Sequence, residues 1–316
     1  MLNNKIDNKP LISVILPTFN GGTRGEGKYL REAIESVLNQ TYENFELIIV
    51  NDGSIDNTED LILSYNNKRI IYLQNANNMG LPSARNTGLG KAKGKYIAFL
   101  DDDDYFYSKK LEEQLLFLQK NNANVTYCFT DIVSESRKII GCYNNNDSGD
   151  ILNILLLRNF ITPSSVMISK DVYENIGYFK IHLKRCADWD YWIRISTKYK
   201  FFCLEKILLA YRKHSKQMSL NLELMAFDGY VLLFENLLML KKNSDESNFY
   251  LHHLFNKFYK RFFYHNDMIN FRKYYKISSA YGSNPISWKA RYILSFFPNL
   301  IKIIRSLKNK LKSKTL

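Results

Sequence analysis

An α/β fold, with a mostly parallel sheet covered by helices on both faces and a helical appendage behind it, is the architecture this sequence predicts. Three observations carry that expectation. Between residues 11 and 100, β-rich apolar runs alternate with segments of helical spacing, the pattern of successive β-α-β units. Pro17-Thr18-Phe19-Asn20, Asp52 and Asp101 to Asp104 all stand where strand-like runs end, and open α/β sheets bind ligands outside the carboxyl ends of their strands. Beyond residue 221 the strand signal stops and helical periodicity takes over.

Taken in order, Leu11–Leu16 is β-rich and is ended by Pro17. Tyr29–Asn39 places Leu30, Ala33, Ile34, Val37 and Leu38 at helical spacing. Phe45–Val50 is a continuous apolar run, and Asn51 to Thr58 is a turn leading into a helix over 59–66. Residues 69–73 read as a third strand, 81–92 as a helix, and 96–100 as a fourth strand that runs into the aspartates. Gly22 to Lys28 satisfies the GxxxxGK part of a phosphate-binding loop. The next residue is Tyr29 instead of Ser or Thr, and the glycines lie several residues past the strand end, so the stretch reads as a flexible glycine-rich insertion beside the site.

Four carboxylates at the end of a buried strand are costly unless a cation offsets them. Alternate residues on an extended segment point the same way, and a hard ion such as Mn²⁺ or Mg²⁺ held by carboxylates normally shares its shell with substrate phosphates. The block therefore points to phosphate chemistry, against the ordinary alternative of a solvated acidic loop.

The chain of 316 residues is 46% hydrophobic, enough for a substantial core in one large domain or two. Met1 to Pro10 is polar and the first apolar run is short, unlike a secretory leader, so a cytoplasmic location is expected. Cys128, Cys142, Cys186 and Cys203 show no CxxC spacing and read as reduced thiols. The net charge of +13 is uneven, +3 over residues 1–220 and +10 over 221–316. From Ser287 onward acidic residues are absent, and apolar residues interleave with Lys and Arg at helical spacing. That pattern suits a helix lying on an anionic membrane surface, with a terminal helix docked on the body as the competing reading. No nucleic-acid-binding module accompanies the charge, so a nucleic-acid partner is not expected.

Several stretches carry a family resemblance: Ile12 to Asn20, Ala33 to Tyr42, Glu46 to Ser54, Asn78-Met79-Gly80-Leu81-Pro82-Ser83-Ala84-Arg85-Asn86-Thr87-Gly88, Phe99 to Asp104, and Asp188-Trp189-Asp190-Tyr191-Trp192-Ile193-Arg194. Together they resemble the family 2 glycosyltransferases across roughly residues 10 to 220. The resemblance implies a GT-A catalytic domain over 1–220, and helical periodicity beyond it marks 221–316 as a helical region. It further implies a nucleotide-sugar donor, a UDP-sugar by preference, a glycan or lipid-linked acceptor in surface polysaccharide synthesis, a divalent cation, and inversion at the anomeric carbon.

Position by position, Pro17, Thr18 and Phe19 would border the uridine and Asp52 would accept from the uracil edge. Arg85 would face the donor phosphates. Asp101 and Asp103 would form the D-x-D metal segment, with Asp103 in direct contact, Asp102 near the ribose, and Asp104 structural at the turn. Asp188 is the implied catalytic base; a carboxylate beside Trp189 would have its pKa raised, whereas the plain alternative is a helix cap. Tyr211 to Ser219 resembles the stretch that closes the family's catalytic domain. There His214 would complete the metal shell or touch the diphosphate, and Arg212 and Lys213 would add positive charge. The sequence departs from the family at Ala187, where Glu is usual, at Asn51, where Asp is usual, and at the glycine-rich insertion. Ala187 and Asn51 are the main support for a second reading, a catalytically silent nucleotide- or membrane-binding module on the same fold.

Overall fold

Strand β1, Ile12–Thr18, is buried along its whole length and occupies the middle of the sheet. Apolar side chains on both of its faces leave it no solvent edge, which is the signature of a strand covered by helices on either side. The computed structural model describes residues 9–295 and divides the chain into two compact units, Met1–Met218 and Ser219–Leu316.

In the first unit, β1 is followed by α1 (Lys28–Leu38), β2 (Phe45–Asn51), α2 (Thr58–Leu63), β3 (Ile70–Gln74), α3 (Leu81–Lys91) and β4 (Tyr96–Phe99). β5 (Tyr105–Phe106), α4 (Lys110–Lys120), β6 (Val125–Val133), β7 (Ile139–Tyr143), α5 (Leu152–Leu157) and β8 (Met167–Ser169) come next. α6 (Lys170–Ile176), α7 (Ala187–Ser196) and β9 (Phe202–Arg212) complete the unit. The strands form one nine-stranded sheet among the described residues, in the order β3-β2-β1-β4-β8-β6-β9-β5, with β7 paired to β6.

The sheet is mixed, which corrects the expectation of a mostly parallel one. β1 to β4 pair in parallel, as their helical crossovers require. β8 then runs antiparallel to both β4 and β6, while β6 and β9 are parallel and β5 is antiparallel to β9. Three-residue β8 is too short to show any periodicity, yet it splices the two halves into one surface.

The main core lies between β1, β2 and β4 and the helices α1 and α4, with Leu16, Ile34, Leu47, Ala98 and Leu115 fully buried. Gly88 in α3 lets that helix sit directly on the sheet, since a Cβ there would lie 2.5 Å from Ile15 Cγ2. Behind the site, Trp192 of α7 is fully buried and meets Phe99 at the end of β4 and Phe201 before β9. It ties α7 to the central strand.

The second unit contains α8 (Leu222–Met239), α9 (Ser244–Tyr264), α10 (Met268–Tyr281) and α11 (Ile286–Leu294). Its aromatic density is a packed cluster in which Tyr259, Phe263 and Phe271 surround Trp288. Tyr292 stacks on Tyr275 at 4.5 Å. The first part of the basic tail is thus a helix held by its aromatic residues within this unit, and its continuation over 296–316 lies outside the described residues. Among the described residues no helix is long and apolar enough to cross a membrane.

Trp192→Ala should destabilise the chain by about 3–5 kcal/mol, the cost of emptying a large aromatic site in a closed core. Urea unfolding followed by circular dichroism measures it, and Trp192→Phe should recover most of the loss.

Candidate active site

β4 ends at Phe99, and the next residues turn at once: Asp104 N–H donates to Asp101 C=O at 3.1 Å. This tight turn sends the four carboxylates in different directions. Asp101 pairs with Arg85 Nη2 of α3 at 2.5 Å. Asp102 accepts from Thr18 Oγ1 at the end of β1 and from Arg24 Nη1 at 2.6 Å. Asp103 Oδ2 lies 2.9 Å from His214 Nε2 just past β9. Asp104 accepts from Ser164 Oγ at 2.7 Å and from Arg212 N–H at 3.0 Å, and is buried. Asp104 therefore fixes the turn to β9 and to the 163–165 turn, the structural role expected of it.

Burial at this edge resists ionisation. It is the main reason that the Asp102 carboxyl is pushed up to about 6, with Asp103 and Asp101 adding repulsion while Arg24 and Thr18 oppose it. Burial likewise raises Asp104 well above the usual carboxylate range, reinforced by Asp103 and Asp101.

Arg85 is nearly fully buried and lies 5.5 Å from the centroid of the Phe179 ring. Its charge also acts on Asp188, in the first turn of α7. Asp188 is half-buried and accepts from Asn159 Nδ2 at 2.9 Å. Desolvation raises its pKa, against the opposing influences of Arg85, the Trp189 N–H and Asn159. A carboxylate held half out of water and acted on by a buried cation is the result. The same helix separates structure from chemistry, because Asp190 is fully buried and paired with Lys180 and Arg194, whose guanidinium also donates to Ile176 C=O and Tyr178 C=O.

At the end of β2, Asp52 accepts from Asn75 Nδ2 at 2.7 Å, Gly80 N–H at 2.7 Å and Met79 N–H at 3.2 Å. It holds the 75–80 loop, and its own N–H donates to Thr18 C=O at 2.8 Å. A carboxylate has about four acceptor positions, and three are taken here.

The glycine-rich segment is packed in place, unlike the flexible insertion expected. Gly25, Glu26 and Gly27 take left-handed backbone angles in a short turn that presents Arg24 to Asp102 and to Phe19 C=O. A Cβ on Gly21 would come 2.4 Å from Thr18 Oγ1, so only glycine lets this loop close on the aspartate. Arg212 also departs from expectation. It is buried, donates to Asp103 C=O and Glu135 C=O, and pairs with Glu32, which leaves it a structural cation and not a phosphate ligand. Lys213 is exposed.

Asp103 and His214 adjoin, whereas Asp101 faces Arg85. Among the described residues no three His, Cys, Asp or Glu side chains converge as a closed metal cage. A carboxylate with an adjacent imidazole still fits Mn²⁺ or Mg²⁺, because such ions complete their shells with substrate phosphates and water.

The family profile described as Glycosyl transferase family 2 matches residues 13–177, which run from β1 through the aspartate turn to α6. The chain belongs to this family. Similar proteins are described as glycosyltransferases: the uncharacterized glycosyltransferase RP339 of Rickettsia prowazekii is 35% identical over 215 residues, covering 66% of this chain and 65% of that protein. RT0329 of Rickettsia typhi is 33% identical over 236 residues, covering 72% of each. The chain therefore spans about two thirds of the length of these relatives. Among solved structures, S. aureus TarS 1-349 in complex with UDP-GlcNAc superposes with a TM-score of 0.58 at 18% identity, covering 87% of this chain and 93% of TarS 1-349. The full TarS structure gives 0.58 at 20% identity over 78% of this chain and 43% of TarS. The shared fold is GT-A.

The structure thus brings Thr18, Arg85 and His214 onto the aspartate turn at Asp102, Asp101 and Asp103, with Asp188 under the electrostatic influence of Arg85 and Asp52 at the end of β2. Two residues in contact with these positions went unread in the sequence. Arg24 lies in the insertion, where only the left-handed turn reveals its reach, and Asn159 stands in a stretch without periodicity or motif.

Arg24→Ala should move the Asp102 titration upward from about 6, because the cation that most favours its ionised form is lost. Carboxyl carbon NMR on selectively labelled protein reads that midpoint.

Proposed function

We propose that this protein transfers a sugar from a nucleotide-sugar, a UDP-sugar by preference, to a hydroxyl of a glycan or lipid-linked acceptor, with inversion at the anomeric carbon. The observation that carries the reading is one cation, Arg85, acting on both Asp101 in the aspartate turn and the half-buried Asp188. Donor-side charge control and a base thereby share one edge of the sheet. The UDP-GlcNAc complex of TarS, on the same fold, supports the choice of donor class.

In this reading Thr18, Phe19 and Pro17 border the nucleoside and the remaining acceptor position of Asp52 meets the base. Asp102 stands at the ribose side and Arg85 beside the phosphates. Asp103 and His214, with Asp101 nearby, would hold Mn²⁺ or Mg²⁺, which supplies positive charge to the departing diphosphate. Asp188 takes the acceptor hydroxyl's proton on the face away from the leaving group, which is the geometry inversion demands. Its raised pKa makes it a stronger base than an exposed aspartate, and Asn159 keeps its carboxylate oriented.

Asp188→Asn should lower kcat by about 10²–10⁴-fold, while Asp103→Ala should abolish metal-stimulated UDP release from UDP-sugars. The acidic limb of the kcat profile should lie above the ordinary aspartate range, since the base form is lost as pH falls through a raised pKa. Asn159→Ala removes an influence that lowers the Asp188 pKa, so it should shift that limb further up. An unchanged limb in Asn159→Ala would remove Asp188 as the titrating base, and no turnover with any donor would favour the silent module.

The basic tail from Ser287 onward fits a cytoplasmic, peripheral protein anchored on an anionic membrane surface, where lipid-linked acceptors are presented. Deleting 296–316, which leaves Trp288 and Tyr292 in their aromatic cluster, should release the chain from phosphatidylserine vesicles in a sedimentation assay; equal binding by the shortened chain would sink this part of the reading.

A further inference from the structure

Both faces of α8 are apolar. Ala226, Leu232, Leu233 and Leu237 are buried, whereas Leu224, Phe227, Phe234 and Leu238 are 44%, 61%, 46% and 63% exposed, with half-buried Val231 between them. Positions 224, 227, 231, 234 and 238 form one stripe of a helix, and a helix apolar all round calls for a second packing partner.

The chemistry of α8 selects the partner. Its charged residues are Glu223, Asp228 and Glu235, with no Lys or Arg. That is the wrong sign for a helix that lies on anionic lipid. The stripe is instead nearly symmetric about Val231. An antiparallel copy crossing there would bring its Phe227 level with residue 235 and its Leu224 level with residue 238, since equal steps along two helices give equal rise. At that level the unit has a groove of about 200 Å³ lined by Tyr230, Phe234, Leu237, Leu238, Leu251 and Tyr281. The stripe thus carries a projecting end and a receiving end on one element, the requirement for a self-complementary two-fold contact.

We propose that two copies of this chain associate across α8 in an antiparallel two-fold arrangement, each placing Leu224 and Phe227 into the groove of the other. The exposed stripe offers roughly 500 Å² per copy, or about 1,000 Å² per pair, which reaches the lower range of specific interfaces. The inference is independent of the glycosyl-transfer reading, because no residue of α8 enters the proposed chemistry.

Sedimentation velocity of the full chain in lipid-free buffer, from about 1 to 100 μM, should show a reversible monomer-dimer equilibrium. Val231→Glu places two like charges together at the two-fold and should weaken the dimer about a hundredfold, with unchanged circular dichroism because the site is half-exposed. Register is read by cross-linking in a Cys142→Ser background. Val231→Cys alone should oxidise to a disulfide dimer, and Leu224→Cys should cross-link with Leu238→Cys but not with itself. A chain monomeric throughout this range, a dimer untouched by Val231→Glu, or a Val231→Glu variant whose only defect is lost vesicle binding would each overturn the proposal.

Discussion

A buried strand that ends in four carboxylates can fold only if the rest of the structure divides their charge. Asp101 takes a buried guanidinium, Asp102 a second guanidinium and a threonine hydroxyl, Asp103 an imidazole, and Asp104 a serine hydroxyl and a backbone N–H. Those partners come from α3, the segment after β1, the 163–165 turn and the end of β9. The charge at one sheet edge therefore dictates where elements distant in sequence must meet. Asp104 has only neutral donors and is held by burial well above the usual carboxylate range, whereas Asp103 keeps some exposure beside His214. The aspartate turn is thus short of positive charge, the condition under which carboxylates attract a hard cation.

Buried acids elsewhere in the unit obey a different rule. Glu46 accepts from Ser13 Oγ and from Lys93 N–H, and Asp190 is paired on both oxygens by Lys180 and Arg194. Their acceptor capacity is spent on the fold. Asp188 is only two residues from Asp190, yet it keeps partial exposure and a single side-chain hydrogen bond, from Asn159. On one helical turn, an aspartate paired on both oxygens stands two residues from one that keeps partial exposure.

Legibility in the sequence follows the range of the forces involved. The first four strands and the intervening helices were readable because each is a local apolar run with its own period, and the strand ends located Thr18, Asp52 and the aspartates. The later sheet was not, since β8 is three residues long and β6 is buried without alternation, so pairing partners decide their structure. Arg24 was hidden for a related reason. Its partner is 78 residues away, and it is reached only through successive left-handed residues that a glycine-rich stretch permits without announcing. Arg212 was misread because its neighbours Tyr211 and His214 belong to a site motif, while its own charge is absorbed by Glu32 and backbone carbonyls.

The two departures from the family pattern weigh differently once their surroundings are known. Asn51 is fully buried, donates from Nδ2 to Tyr72 Oη at 3.0 Å, and accepts from Ser54 N–H at 2.9 Å. An amide can do both, whereas an ionised carboxylate only accepts, so Asn51 shapes the turn after β2 and leaves the Asp52 carboxylate free to hold its own loop. Ala187 is buried at the start of α7, one residue before Asp188. It removes a carboxylate from the neighbourhood of Asp188, and with it a like charge that would push the Asp188 pKa further up. Here Asp188 is governed by burial, Arg85 and Asn159 instead. Both substitutions are absorbed locally, Asn51 by Tyr72 and Ser54 and Ala187 by burial at the start of α7, while Asp52 and Asp188 keep hydrogen-bond partners of their own.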